Sequence, residues 1–204
     1  EQHFNMANYG STGVFLSTPV VNDREGGVQI KAEMTNDASS KVRLKMRNCI
    51  YDAQGKLLQT KIQPFSLKAG ETATVECRSD VIANPQLWTP EMPALYCVTT
   101  TIVNAKNGDI LDEVSNKVGF RWFSFDAGKG FSLNGKPYKL HGVNRHQDQA
   151  PVGVAIDDEV NRRDIRQMKE IGCNFIRYPI IRRMMLCWMH AMNWDYWLGK
   201  KFQS

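Results

Sequence analysis

Between about residues 13 and 125, apolar and polar side chains alternate with a period of two, and clusters of turn-forming residues interrupt the alternation at short intervals. Val28, Ile30, Ala32 and Met34 alternate with Gln29, Lys31 and Glu33; Val42, Leu44 and Met46 alternate with Arg43, Lys45 and Arg47. Each run predicts an antiparallel strand with one buried and one wet face. Gly26-Gly27, Asn36-Asp37, Asp52-Ala53-Gln54-Gly55, Lys68-Ala69-Gly70 and Asn107-Gly108 supply the punctuation. The last predicts a hairpin turn between strands at 95–103 and 110–114, because Asn and Gly tolerate positive φ. About seven strands in about 110 residues is the size of an immunoglobulin-like sandwich.

The pattern changes after Phe125. Phe131-Ser132-Leu133-Asn134-Gly135-Lys136-Pro137 predicts a hairpin with Asn-Gly at its turn, and 138–143 a short apolar strand. A helix is predicted over 158–171, with Asp157, Asp158 and Glu159 at its positive end and Gly172 after its last turn. Val160, Ile165, Met168 and Ile171 fall within about 140° on its wheel, a stripe for packing on a sheet. Residues 173–177 read as a second buried strand. Strand, helix and strand form a βαβ unit, which requires a parallel sheet and cannot bury its faces alone.

Composition adds less than it first promises. The 204 residues are 42% hydrophobic and 23% charged, which is globular. No run of about 18 apolar residues predicts a membrane span, and the N-terminus has neither the basic nor the apolar part of a signal peptide. The compartment is left open between cytoplasm and periplasm. A net charge of +5 would suggest an anionic partner, but the 27 residues after Arg177 hold Arg182, Arg183, Lys200 and Lys201 against Asp195 alone. Elsewhere the balance is nearly even, so nucleic acid is not an expected partner. Cys49, Cys77, Cys97, Cys173 and Cys187 show no C-x-x-C spacing or Cys/His cluster, so no metal site is expected. They read as small apolar residues in strands, with one bridge among Cys49, Cys77 and Cys97 as the alternative in an oxidising compartment.

The densest polar group, Asn144, Arg145, His146, Gln147, Asp148 and Gln149, follows the first predicted parallel strand. Loops at the C-terminal ends of parallel strands share a face, and in α/β barrels that face holds the active site. A cation, an imidazole and amides there can read a polyhydroxylated ligand; a solvated loop with a capping histidine explains the same residues. Arg177, closing the second strand, can fix a carboxylate bidentately or make a surface ion pair worth little. His141 reads as a satisfied core histidine. Trp88 and Trp122 read as packing in the sandwich or under the domain junction. No Gly-rich phosphate loop, G-x-S-x-G or H-E-x-x-H is present.

These residues carry a resemblance. Asn84-Pro85-Gln86-Leu87-Trp88-Thr89-Pro90-Glu91-Met92-Pro93-Ala94-Leu95-Tyr96 resembles a segment of glycoside hydrolase family 2. Val118-Gly119-Phe120-Arg121, Leu133-Asn134-Gly135-Lys136-Pro137 and His141-Gly142-Val143-Asn144-Arg145-His146 resemble that family's passage from sandwich to barrel, most closely in its β-galactosidase branch. The resemblance implies a mainly β chain, an immunoglobulin-like β-sandwich followed by the first β/α units of a TIM (β/α)8 barrel. Its segments would be 1–13, the end of a preceding sugar-binding jelly roll; 14–124, the sandwich; 125–178, two barrel strands and one helix; and 179–204, a tail. The implied chemistry is retaining hydrolysis of β-galactosides or related β-glycosides by two carboxyls about 5 Å apart. In the family both glutamates come from later barrel strands, so this chain is expected to be inactive by itself. His146, Asn144 and Arg145 resemble sugar-contacting or supporting positions, and Arg177 resembles the arginine that orients the catalytic carboxylates. No cofactor is identified; the family admits a divalent or monovalent cation, but no ligands for one are recognisable. A carbohydrate substrate is the implied partner, with a homo-oligomer as a further expectation.

Beyond Arg177 the family pattern calls for a small pair and His-Tyr-Pro, where this chain has Tyr178-Pro179-Ile180-Ile181-Arg182. The tail is dense in single-codon residues, with Trp188, Trp194, Trp197 and Met184, Met185, Met189, Met192. Regrouping compatible codons one base earlier permits a translation opening His-Tyr-Pro, so the tail reads as out of frame; an amphipathic helix for a membrane or partner is the competing reading. The competing functional class is a non-catalytic β-sandwich for carbohydrate binding or scaffolding.

Overall fold

The structure, a computed structural model, describes residues 2–5, 12–146, 150, 152–153, 155–177 and 197–199. The first nine strands, β1 (Gln2–Phe4), β2 (Val14–Val21), β3 (Glu25–Asn36), β4 (Val42–Tyr51), β5 (Leu57–Leu67), β6 (Thr72–Arg78), β7 (Ile82–Ala83), β8 (Tyr96–Asn104) and β9 (Ile110–Val118), form two antiparallel sheets. One sheet runs β5-β4-β8-β9. The other is built around β3, with β1 and β2 end to end on one side and β6 and β7 on the other. The alternation read from sequence decides the inner faces. Val28, Ile30 and Met34 of β3 are buried against one core with Leu44, Met46 and Ile50 of β4 and Val98 and Ile102 of β8. Each such side chain contributes about 1.5–3 kcal/mol by leaving water.

Turn chemistry follows the punctuation. Asn36 is fully buried; its amide donates to the Ser40 and Lys68 carbonyls (2.9 and 2.8 Å) and accepts from Gln2 and the Ala38 N–H, which ties two turns to β1. Asp52 accepts from the Gln54 and Lys56 N–H groups, and Gly55 takes the left-handed conformation the β4–β5 turn needs. The β8–β9 connection differs from the expected tight Asn-Gly turn. Of that pair only Gly108 has positive φ, and the loop closes through Asn104 N–H to the Asp109 carbonyl, so it is wider.

The boundary expected after residue 13 falls inside the sandwich sheet. β1 pairs with β3, Phe4 is in the core, and its N–H donates to Asp112 at 2.9 Å. Three residues are too few to show an alternation. The bridge considered among Cys49, Cys77 and Cys97 is not formed; all three carry free thiols.

The chain divides into two units, Glu1–Leu87 with Ala94–Arg121, and Trp88–Pro93 with Trp122–Ser204. The second unit opens with an antiparallel sheet of β10 (Phe123–Asp126), β11 (Gly130–Leu133) and β12 (Lys136–Pro137). Asn134 and Gly135, with φ of 50° and 75°, make the β11–β12 turn as expected. Next come β13 (Gly142–Asn144), α1 (Asp158–Glu170), β14 (Phe175–Arg177) and β15 (Trp197–Gly199), whose strands form a parallel sheet in the order β13-β14-β15. β15 lies in the segment read as out of frame; 178–196 and 200–204, on which the rest of that reading falls, lie outside the described residues.

The helix begins and ends where its caps dictate. The Asp157 carboxylate accepts from the Glu159 N–H, and Gly172, with φ of 84°, follows the last turn. Ile165 is buried at the centre of the inward face, whereas Ile171 is 75% exposed and is not part of it. Strand β13 is shorter than the expected 138–143, and His141 is exposed rather than in a core; its carbonyl accepts from the Asn174 and Phe175 N–H groups.

Candidate functional site

β13 and β14 run parallel in a register that sets Asn144 opposite Arg177. Both residues are the last of their strands, so both side chains emerge at the C-terminal edge of the sheet. Arg177 Nη1 donates to Asn144 Oδ1 at 3.4 Å, and both are exposed. His146, two residues on, is exposed as well. Three of the four residues singled out from sequence therefore lie at or just past one strand end, with a cation, an amide and an imidazole open to solvent.

The fourth, Arg145, is placed differently. It is 4% exposed, and its Nε and Nη2 donate to Asp164 Oδ2 at 3.2 and 2.7 Å. Nη2 also donates to Asn161 Oδ1 at 2.7 Å. Both partners are on α1. The Arg145 N–H meanwhile donates to the Arg177 carbonyl at 3.0 Å. Sequence reasoning missed Asn161 and Asp164, although the signal was there. At spacings of three and four they share a helix face with Ile165 and Met168, and polar residues inside an inward stripe need a polar partner.

A second polar chain fixes the segment before the sandwich's last strands. Tyr138 Oη donates to Glu91 Oε1 at 2.7 Å and accepts from Asn174 Nδ2 at 3.2 Å. Burial, then the Glu91 carboxylate, hold the phenol above its usual range, so it stays a donor. Asn174 Nδ2 also donates to the Lys139 carbonyl, and its Oδ1 accepts from the His141 N–H. Trp88 is fully buried in the second unit, its carbonyl accepting from Asn134, whose Oδ1 accepts from the Trp122 N–H. In the sandwich unit, burial pulls the Arg121 guanidinium down to about 10, which still leaves it charged at neutral pH. Among the described residues no three His, Cys, Asp or Glu side chains are grouped to hold a metal ion, and no helix is long and apolar enough to cross a membrane.

The sequence matches the model of glycosyl hydrolases family 2 over residues 12–121 and that family's TIM barrel domain over residues 127–188. The chain belongs to glycoside hydrolase family 2. Relatives within the family include proteins named for β-glucuronidase and for β-galactosidase activity. A putative β-glucuronidase of Formosa agariphila is 36% identical over 80% of the chain, and a β-galactosidase of Bacteroides ovatus is 29% identical over 82%. The chain spans 19% of the length of each. Among solved family structures, a Bacteroides uniformis β-glucuronidase bound covalently to a cyclophellitol-6-carboxylate aziridine superposes with a TM-score of 0.93 at 44% identity. That match covers 97% of this chain and 24% of the other. Family membership accounts for the architecture, a sandwich followed by the opening strands of a barrel that these residues do not close.

Proposed function

We propose that the chain is part of a retaining glycoside hydrolase acting on β-galactosides or related β-glycosides, β-glucuronides among them. Asn144, His146 and Arg177 form one arc of its sugar-binding rim. The observation that carries this reading is the register of β13 on β14, which brings Asn144 and Arg177 side by side at the C-terminal ends of parallel strands. In barrels of this architecture that edge is where substrate meets the chain. Arg177 donates hydrogen bonds and a positive charge. That suits it to hold a carboxylate in one orientation, whether a catalytic one supplied by a later strand or one on the sugar. Asn144 and His146 offer the donors and acceptors that hydroxyl groups require. Relatives named for both galactosides and glucuronides support the breadth of the substrate class.

Retaining hydrolysis needs a nucleophilic carboxylate and a second carboxyl as acid/base about 5 Å away. By resemblance to the family both come from later barrel strands, so the 204-residue polypeptide is expected to turn over nothing. The test assays this polypeptide, and the longer enzyme of which these residues are the sandwich and barrel opening, on chromogenic β-galactoside and β-glucuronide. Hydrolysis of at least one by the longer enzyme, lost in R177A, supports the proposal. Turnover by the 204-residue polypeptide, or none by the longer enzyme, overturns it.

A further inference from the structure

We propose that Arg145 is a positioning residue that locks the rim to α1 and does not itself meet the sugar, an inference that rests on the rim reading above. The backbone alternates here, so Asn144 and His146 are exposed while the side chain between them is buried. The Arg145 guanidinium gives two donors to Asp164 Oδ2 and shares one of them with Asn161 Oδ1. Asp164 is itself only 20% exposed and also accepts from Arg163 at 3.5 Å. Turning Arg145 outward to a ligand would leave the mostly buried Asp164 carboxylate with only the distant Arg163 and take from the buried Asn161 amide its charged donor, which is costly. The residue is also tied through its backbone, since its N–H donates to the Arg177 carbonyl. One residue thus joins the end of β13 to the end of β14 and to the helix that connects them. Asn144 and His146, its two neighbours, are held by that joint.

The test has two arms, so that failure of the clamp and failure of the rim reading are told apart. In the longer enzyme, R145A and D164A are each expected to lower kcat about ten- to hundredfold while KM changes less than about threefold, because misplaced rim groups cost the transition state more than ground-state binding. The double variant R145A/D164A should be no worse than the more damaging single one, since the two residues act as one unit. R145K keeps the charge but not the fork, and should recover only part of kcat. A sugar contact would behave otherwise: R145A would raise KM with kcat preserved, D164A would be silent, and either result overturns the clamp.

In the 204-residue polypeptide, D164A should speed hydrogen exchange at the Arg145 N–H at least about tenfold, with the amides of β4 and β8 as internal controls. Unchanged exchange there overturns the clamp even where the longer enzyme proves inactive on every β-glycoside, an outcome that would defeat only the rim reading.

Discussion

A methyl group added to Gly142 would lie 2.9 Å from the Phe175 carbonyl oxygen and would also press on the Phe175 ring. Glycine is therefore required where β13 meets β14. Gly142→Ala is expected to destabilise the parallel sheet by about 1–3 kcal/mol, seen as faster amide exchange at 142–144 and 175–177 with the sandwich unaffected. At the other end of the chain, His3 Nδ1 bonds the Phe4 carbonyl and Nε2 bonds Asp37 at 2.8 Å; these bonds, in that order, raise its pKa above 6.5. A raised folded-state pKa means that protonation favours the folded form. The attachment of β1 should be strongest below pH 6.5 and weaken as pH rises through the raised value. An NMR titration of the ring alongside exchange at Phe4 checks this, and H3Q should flatten the profile. At this scale the sequence was legible for residues with one job. Asn134-Gly135 could be read because its turn needs positive φ from those two residues alone. Arg145 could not, because the carboxylate that decides its direction lies 19 residues away on another element.

Strands β4 and β8 are the centre of their sheet, and each carries one polar residue on its inner face. Asn48 and Thr100 stand directly opposite in register, both fully buried; within the described residues the Thr100 hydroxyl makes no hydrogen bond and the Asn48 amide has no closer polar partner than the Cys77 thiol, a weak one. Burying such groups costs about 1–3 kcal/mol each, so replacing both by apolar residues of like shape should stabilise the sandwich. N48L/T100V is expected to raise the unfolding free energy by at least about 1 kcal/mol in a urea titration. A clear loss would show that the pair is satisfied in solution. Elements of this length were readable because eight or more residues average over one exception: the alternation of β4 survives Asn48. β13 and β14, three residues each, offer nothing to average, and β13 was drawn too long. The helix was readable at both ends because Asp157 and Gly172 are local signals, while exposed Ile171 shows that a wheel counts apolar residues without knowing where the sheet stops.

For the molecule as a whole, the two units differ in what holds them. The sandwich has long strands and a shared core; among the described residues the second unit has three-residue parallel strands, one helix, and a small sheet with Phe123 and Phe125 more than half exposed. Limited proteolysis should cut first beyond Trp122 and leave a resistant piece ending near residue 121. First cuts between 14 and 87 would contradict this. The order of the domains was legible because each has its own period and motifs, whereas the exact partition was not: Trp88–Pro93 joins the second unit through Glu91–Tyr138 and Trp88–Asn134 bonds that span more than 40 residues. The pairing of β4 with β8 sets a timetable as well. At ~5–20 residues per second, a ribosome needs roughly 2–9 s to travel from Tyr51 to Tyr96. During that wait β4 has only β5 beside it in its sheet, and the backbone N–H and C=O groups along its other edge, from Leu44 to Tyr51, stay unpaired until β8 emerges.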